Sequence, residues 1–404
     1  MTSDGNTSKV ESGDPPAAGR ARRWAFRLAT LGLAMVVGLG VAEGLLWALA
    51  PVGGQAYMEW IPDGHVRGRG RPRQTFDSHT GCDARINRLG FRGPDYEWAP
   101  APGTLRVLTL GGSSTFGVET VEEGSTWPAQ LEARLAASLE APVEVVNLAL
   151  PGFTSFDSKI NYLYLGRAYH PHLVVCYHTW NDIKRFRLLG RSPFLPAGTV
   201  RDKPWWERVL RRTQLGRRAG RAYAARQAEI VEDVYTSLER EGAGAAQPAS
   251  ATALTWSRRN FEDIVSFAQH DDVLPVLVTQ ATIAVPENAD RKEYRLKLRC
   301  ELAGMTFPVI CATWLQMNAV LQDVAERTGA VFVDAYAAVP HDLEHLRDQV
   351  HLTDEGRARV AEVIAETLLA DSRFREVAKR VQNPAPHETP RHALAPFPIF
   401  FLSP

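Results

Sequence analysis

Cysteine is scarce in this chain, with four residues among 404. None of them forms a Cys-x-x-Cys pair or a His/Cys cluster with the spacing of metal ligands. The sequence therefore predicts no structural zinc site, no other metal and no cofactor. A net excess of charge is also absent, because 46 Lys and Arg residues balance 46 Asp and Glu residues. Without a global positive field, the chain is not expected to bind nucleic acid.

The few cysteines still carry some information. Cys300 and Cys311 are the nearest pair in sequence, and a disulfide between them would close a short loop if the domain lies in an oxidising compartment. Cys176 lies in the apolar run 172–177 and is better explained as a small buried hydrophobic residue. The disulfide state of the first pair stays open at this point.

One long apolar run occurs near the N-terminus. Residues 28–50 contain a single ionisable side chain, Glu43, and a helix of this length spans about 35 Å, enough to cross a bilayer. Four arginines lie between positions 20 and 27, whereas the next basic residue after the run is Arg67. By the positive-inside rule, the N-terminus is predicted to be cytoplasmic and the chain after residue 50 extracytoplasmic, in a single-pass cell-membrane protein.

A cleaved signal peptide is the alternative, because Ala48-Leu49-Ala50 has the form of a cleavage site. Pro51, the length of the apolar run and the long polar leader favour an uncleaved anchor. Glu43 is seven residues from the outer end, within snorkelling reach of the interface, although pairing within a membrane assembly is a second interpretation.

Composition divides the chain into five segments. These are a disordered cytoplasmic leader over 1–23, a transmembrane signal-anchor helix over 24–50, an extracytoplasmic stalk over 51–103, a folded domain over 104–375 with a helical basic insertion at about 183–250, and a Pro-rich tail over 376–404. The insertion carries 13 Lys and Arg residues between 184 and 226 against only Asp202 and Glu207. It is either a solvated helical face or a surface for anionic lipid or acidic glycan.

Short apolar runs alternate with amphipathic helical segments from residue 104 onward, which predicts a parallel sheet covered by helices on both faces. The predicted strands are Arg106–Leu110, Val143–Leu150, His172–His178, Val273–Gln280 and Ala330–Tyr336. The predicted helices are Trp127–Leu139, Asp157–Tyr169, part of 183–270, Trp314–Thr328 and Asp354–Leu369. Functional loops in such folds lie at the C-terminal edge of the sheet.

Four polar motifs occur at the expected loop positions: residues 110–117 (Leu-Gly-Gly-Ser-Ser-Thr-Phe-Gly), 149–152 (Ala-Leu-Pro-Gly), 180–182 (Trp-Asn-Asp) and 348–351 (Asp-Gln-Val-His). A serine hydroxyl becomes nucleophilic when a base accepts its proton and an acceptor orients that base. Ser113, His351 and Asp348 supply these groups. Asp342 and His345 have the same spacing, but they lie in a polar stretch without the continuation His-Leu-Thr-Asp-Glu-Gly that follows at 351–356.

Together the motifs resemble those of the SGNH (GDSL-type) serine hydrolase family, named for a Ser, a Gly, an Asn and a His in that order. The resemblance implies a three-layer, flavodoxin-like α/β fold with a central parallel sheet of about five strands, here preceded by a single transmembrane helix. It also implies an oxyanion hole formed by the N–H groups of Ser113 and Gly152 and the side chain of Asn181. Residues 86–93 look like a lead-in often seen before such domains.

This resemblance implies a serine esterase, and the predicted location suggests O-acyl esters, most simply acetyl esters, on cell-envelope carbohydrate. An O-acyltransferase would use the same acyl-enzyme, and a non-catalytic glycan- or partner-binding protein could keep the same fold. Two positions depart from the family pattern. Gly112 stands where the family name has Asp, and Thr179 stands where Gly is frequent; both are expected to line the mouth of the pocket.

Overall fold

The computed structural model describes residues 17–49, 60–77 with short gaps, 83–118, 122–183, 251–294 except 292, and 307–383. Within the insertion it describes only 210, 213–219 and 222. The first part of the leader, most of the basic insertion, Cys300 and the tail from residue 384 therefore lie outside the described residues. Cys311 is a buried free thiol.

A five-stranded parallel sheet forms the centre of the domain, in the order β6-β5-β7-β8-β9. Its strands are β5 (Leu105–Gly111), β6 (Val143–Asn147), β7 (Leu173–Tyr177), β8 (Leu274–Val278) and β9 (Val331–Val333). Numbered from the first strand of the sheet, this order is 2-1-3-4-5, which is the flavodoxin-like arrangement. All five predicted strands are confirmed.

Both faces of the sheet are buried, as the apolar runs predict. Successive side chains of a strand point to opposite faces, and β5 accordingly sends Leu108 and Leu110 into one hydrophobic cluster and Leu105 and Val107 into another. Helices cover the first cluster at Ser155–Tyr164, Ala251–His270 and Phe307–Thr328, and the second at Trp127–Leu139, Asp354–Ala370 and Ser372–Gln382. The result is a three-layer α/β fold.

Four of the five predicted strands are shorter in the structure, and in two of them, β6 and β9, a polar side chain ends the strand. The amide oxygen of Asn147 accepts a hydrogen bond from Ala149 N (3.0 Å), which turns the chain after β6. Asp334 ends β9 by accepting a bond from Ala337 N (3.1 Å), and this bond starts the short helix Ala335–Ala338. These boundaries depend on side-chain hydrogen bonds that an apolar pattern does not encode.

The N-terminal helix runs from Ala17 to Leu49. Its part Ala21–Leu49 is long and apolar enough to cross a membrane, with a mean hydropathy of 1.8 and none of it buried in the protein. A signal sequence near an N-terminus has the same properties. The helix begins before residue 24, the predicted start of the anchor, because the preceding Ala and Arg residues are strong helix formers.

The lead-in within the predicted stalk packs into the domain. Ile86, Leu89 and Phe91 are 3% exposed or less and belong to the same hydrophobic cluster as Leu108 of the sheet. Two small antiparallel sheets precede and include this region: β1 (Trp60–Ile61) pairs with β2 (Arg69–Gly70), and β3 (Thr75–Asp77) pairs with β4 (Asp83–Arg85). The folded domain therefore begins before residue 104, the predicted boundary.

Arg92 joins the lead-in to the segment that carries Ser113. It is 3% exposed, and its guanidinium donates to the carbonyls of Phe116 (3.3 Å) and Gly117, at the C-terminal end of the short helix Ser113–Phe116. The same group pairs with Glu123 at 3.0 Å. Because the last carbonyls of a helix lack intrahelical donors, Arg92 supplies the bonds that this helix end needs.

We expect Arg92→Ala to destabilise the domain by about 1–3 kcal/mol, since buried carbonyls lose their donor. Urea unfolding followed by circular dichroism measures this loss. Arg85→Ala is the matched control, because Arg85 ends β4 directly before the lead-in but is exposed. Equal stability of the two variants would contradict a structural role for the Arg92 contacts.

Candidate active site

Ser113 and His351 meet at the C-terminal edge of the sheet although they are far apart in sequence. Ser113 begins the short helix that follows β5, and His351 lies in the loop before the helix Asp354–Ala370. The distance between His351 Nε2 and Ser113 Oγ is 2.8 Å. Both residues are partly exposed, so the pair has the contact that a proton transfer needs and can be reached from solvent.

Asp348 lies on the other side of the imidazole. Its Oδ2 is 2.7 Å from His351 Nδ1, while its Oδ1 accepts bonds from the backbone N–H groups of Val350 and His351, each at 3.0 Å. Burial alone would raise the pKa of Asp348, but the charge and hydrogen bond of His351 and the two N–H donors hold it below its ordinary value. The carboxylate therefore stays ionised and fixes the orientation of the ring.

Gly152 and Asn181 lie in the segments that follow the two strands beside β5, Gly152 in the loop after β6 and Asn181 in the helical turn 180–183 after β7. Gly152 has φ +80°, a left-handed conformation that favours glycine. Asn181 donates one N–H of its amide to Phe153 O at 2.9 Å, which leaves a second N–H on the same nitrogen. Among the described residues, the N–H groups of Ser113 and Gly152 donate to no protein acceptor. These three groups can all donate to an anion.

Asp182 fixes the two loops relative to each other. It is 2% exposed and accepts bonds from Ser155 Oγ (2.6 Å) and Ser155 N (3.2 Å). Since Ser155 closely follows Gly152 and Asp182 directly follows Asn181, the contact sets the spacing between the two candidate donors. Asn260 adds a bond to Ser155 Oγ at 3.0 Å from the helix Ala251–His270.

Gln280 is a residue of the site that sequence reasoning missed. Its Oε1 accepts a bond from Trp180 N (2.8 Å), and its Nε2 lies 3.4 Å from Ser114 Oγ. Ser114 in turn donates to Val350 O at 2.9 Å. The signal was present, because Gln280 closely follows β8, just as Asn181 closely follows β7. The side chains of Gln280 and Ser114 thus tie together the loops of Ser113, Asn181 and His351.

The second Asp/His pair has the same internal geometry but a different setting. His345 Nδ1 is 2.8 Å from Asp342 Oδ1, and the Asp342 side chain is 42% exposed. Among the described residues, His345 makes no hydrogen bond with a serine. Asp342, His345 and Glu344 together form a surface group of residues that could hold a metal ion. This group is separate from Ser113.

The two departures from the family pattern, Gly112 and Thr179, are both buried. Thr179 is 1% exposed and donates its hydroxyl to His178 O. Gly112 lies against Asn181, and a Cβ at this position would overlap the amide nitrogen of Asn181 and lie 3.4 Å from Phe153 O. The absence of a side chain at position 112 therefore lets Asn181 approach the segment that carries Ser113.

We expect Gly112→Ala to lower kcat by about 10- to 100-fold, because the added methyl group displaces one candidate oxyanion donor. Steady-state hydrolysis of p-nitrophenyl acetate measures the change. The φ of Gly112 is −96°, outside the left-handed region that favours glycine, so the loss would report the contact with Asn181.

Gly124→Ala is the matched control for this variant, since a Cβ there meets nothing within 4 Å. Unchanged kcat in Gly112→Ala, with a thermal midpoint equal to that of the control, would contradict the role of Asn181 in the reaction.

The lowered pKa of Asp348 predicts a pH-dependent contribution to stability. Its ionised form stabilises the folded state above the unfolded pKa of about 3.9, and this stabilisation is lost as the pH falls through the lower folded pKa. Asp348→Asn carries a neutral isostere at every pH. We therefore expect its thermal midpoint to lie below that of the parent chain at neutral pH and to converge with it in acid.

Asp290→Asn provides the comparison, because it makes the same substitution at an exposed carboxylate. A constant gap between the Asp348→Asn and parent midpoints across the acid range would contradict the assignment of this carboxylate as ionised and stabilising.

Known proteins resemble this chain in sequence and in structure. Residues 109–359 match the GDSL-like lipase/acylhydrolase family. No curated protein matches the sequence. Similar solved structures include Axe2, an acetylxylan esterase from Geobacillus stearothermophilus, with 17% identity, coverage of 65% of this chain and 93% of that one, and a TM-score of 0.40. A GDSL-like lipase from Bacteroides thetaiotaomicron has 14% identity, coverage of 65% and 86%, and a TM-score of 0.35.

Proposed function

The chain belongs to the GDSL-like lipase/acylhydrolase family and is a serine hydrolase that acts on ester bonds; from this premise we propose that it removes O-acyl groups, chiefly acetyl groups, from cell-envelope carbohydrate. Ser113 is the nucleophile, His351 the general base and Asp348 the carboxylate that orients it. The observation that carries the proposal is the continuous contact from Asp348 Oδ2 to His351 Nδ1 (2.7 Å) and from His351 Nε2 to Ser113 Oγ (2.8 Å).

In the first half-reaction, Ser113 Oγ attacks the ester carbonyl carbon while its proton passes to His351 Nε2. The carbonyl oxygen becomes an oxyanion, which accepts hydrogen bonds from Ser113 N, Gly152 N and Asn181 Nδ2. As the intermediate collapses, the bond to the sugar oxygen breaks, and that oxygen takes the proton from His351. The acyl group remains on Ser113 as an ester.

Water completes the cycle in the second half-reaction. It attacks the acyl carbon while His351 accepts its proton, and the second intermediate expels Ser113 Oγ, which takes the proton back. The products are a free carboxylic acid and the unmodified enzyme. Asp348 stays ionised throughout, since its depressed pKa keeps the negative charge that stabilises the protonated imidazole.

Close packing beside the site favours a short acyl group. Trp180, next to Asn181, is 4% exposed and stacks on the fully buried Trp314 with 5.9 Å between the ring centroids. Val350, next to His351, belongs to the same hydrophobic cluster. A long acyl chain entering this side would have to open a packed cluster, whereas an acetyl group would not.

We further propose that the N-terminal helix is retained as a single-pass anchor with the hydrolase domain outside the cytoplasm. The support is the apolar helix Ala21–Leu49 and the arginines that precede the apolar run. In this location the enzyme meets envelope polymers and anionic lipid rather than cytoplasmic esters.

A fluorophosphonate probe tests the mechanism, because it reacts with an activated serine. We expect labelling of Ser113 in the intact protein, no labelling in Ser113→Ala, and a loss of about 10³- to 10⁶-fold in kcat on p-nitrophenyl acetate for that variant. Ser138→Ala is the matched control. Ser138 is an exposed serine on the helix Trp127–Leu139, and its hydroxyl donates only to Arg134 O within that helix, so its removal should leave the labelling of Ser113 intact.

Product analysis tests the substrate. Acetylated envelope polysaccharide should release acetate, and p-nitrophenyl acetate should be a better substrate than p-nitrophenyl octanoate. Transfer of the acetyl group to a second sugar would instead make the protein an acyltransferase. Labelling of Ser113→Ala at the parent level, or polymer binding without turnover, would overturn the proposed mechanism.

A further inference from the structure

Glu43 is the single ionisable residue of the apolar segment 28–50. The helix continues for six residues beyond it, to Leu49, so the carboxylate lies about 9 Å below the end of the helix. A carboxylate at this depth in a bilayer is costly unless it is hydrogen-bonded, and such residues usually have a function. Its partners therefore indicate what lies beside the anchor.

Two of its three hydrogen-bond partners come from the basic insertion, and the third is Trp47 of the same helix. Glu43 Oε2 accepts a bond from Leu215 N at 3.0 Å, and Oε1 accepts bonds from Gln214 N and from Trp47 Nε1 (3.1 Å). Gln214 and Leu215 begin the helical segment 214–219, whose first N–H groups have no intrahelical acceptor. The Glu43 carboxylate therefore accepts hydrogen bonds from N–H groups that have no acceptor within their own helix, and those N–H groups supply the donors that the carboxylate needs.

The side chains around this contact have the character of an interfacial segment. Leu210 and Leu215 are 52% and 36% exposed, although both are large and apolar. The guanidinium of Arg217 lies over the ring of Trp47, 5.5 Å from its centroid. Tryptophan and arginine are typical of the headgroup region, where an apolar body contacts acyl chains and a polar end contacts phosphates.

We propose that residues 210–219 are a second membrane-binding element, which Glu43 holds at the level of the lipid headgroups. Leu210 and Leu215 contact the upper acyl chains, and Arg217 and Arg218 contact anionic phosphates. The inference rests on the proposal that the N-terminal helix spans the membrane. The hydrolase domain is then held to the bilayer at two places rather than by the helix alone.

Lipid photo-crosslinking tests the proposal. The full-length protein is reconstituted into vesicles of phosphatidylcholine and phosphatidylglycerol that carry a diazirine near the glycerol end of the acyl chain. We expect crosslinks on the N-terminal helix and on peptides that contain residues 210–219. Glu43→Leu should reduce the second set at least several-fold and leave the first set unchanged, with unchanged hydrolysis of p-nitrophenyl acetate.

Crosslinks on the N-terminal helix alone, or equal crosslinking of residues 210–219 in Glu43→Leu, would overturn the second element while leaving the anchor intact. No crosslinks at either place would overturn the anchor itself and this inference with it. The two failures are therefore distinguishable, and neither depends on whether Ser113 is the nucleophile.

Cysteine labelling provides an independent readout. Leu215→Cys and Leu343→Cys form a matched pair, because both leucines are 36% exposed in the protein. With a charged maleimide and peptide mapping, we expect the cysteine at 215 to react at least about 10-fold more slowly than the one at 343 in vesicles. Equal rates would mean that no bilayer covers position 215.

Discussion

The hydrogen bond from Ser114 Oγ to Val350 O is the contact on which the geometry of the site most depends. Each partner is the immediate neighbour of a residue of the proposed catalytic pair, Ser113 or His351. The parallel strands bring these loops to the same edge of the sheet, but they do not fix the distance between the two loops. A proton transfer needs a distance near 3 Å, and the bond between the neighbours supplies that precision, as does the burial of Ser114, which is 6% exposed.

Two further sets of hydrogen bonds extend this constraint to the segments of Gly152 and Asn181. Gln280 connects the loop of Asn181 to Ser114, and Asp182 connects the same loop to Ser155, close to Gly152. Each set uses a buried polar side chain, and such a group is costly without a partner. A displacement of any one loop would leave several of these groups unsatisfied. The free energy lost when these buried hydrogen bonds break therefore holds the site rigid. Stabilisation of an oxyanion requires donors that are fixed in this way before the reaction begins.

The sequence predicted the features that follow from periodicity and missed those that depend on a particular side-chain contact. The sheet and the helix Trp127–Leu139 were predicted correctly, because burial on both faces leaves a continuous apolar run and burial on one face leaves a stripe. The lead-in was assigned to a stalk because residues 51–103 have little periodicity and much Gly, Pro and Arg, and only the structure reveals the carbonyls that Arg92 meets. Gln280 was overlooked although it closely follows β8, because its contacts with Trp180 and Ser114 are likewise seen only in the structure.

Gly112 shows how a departure from a family pattern can be part of a site rather than a defect in it. The Asp of the family name would place a Cβ where the amide nitrogen of Asn181 lies in this chain. With glycine, the amide nitrogen of Asn181 bonds to Phe153 O and lies against residue 112, next to Ser113, with its second N–H not used in that bond. An aspartate here would bring both a steric overlap and a negative charge next to the proposed oxyanion hole. Since both effects oppose oxyanion stabilisation, restoring the family residue at this single position should impair this enzyme unless the loop of Asn181 changes with it.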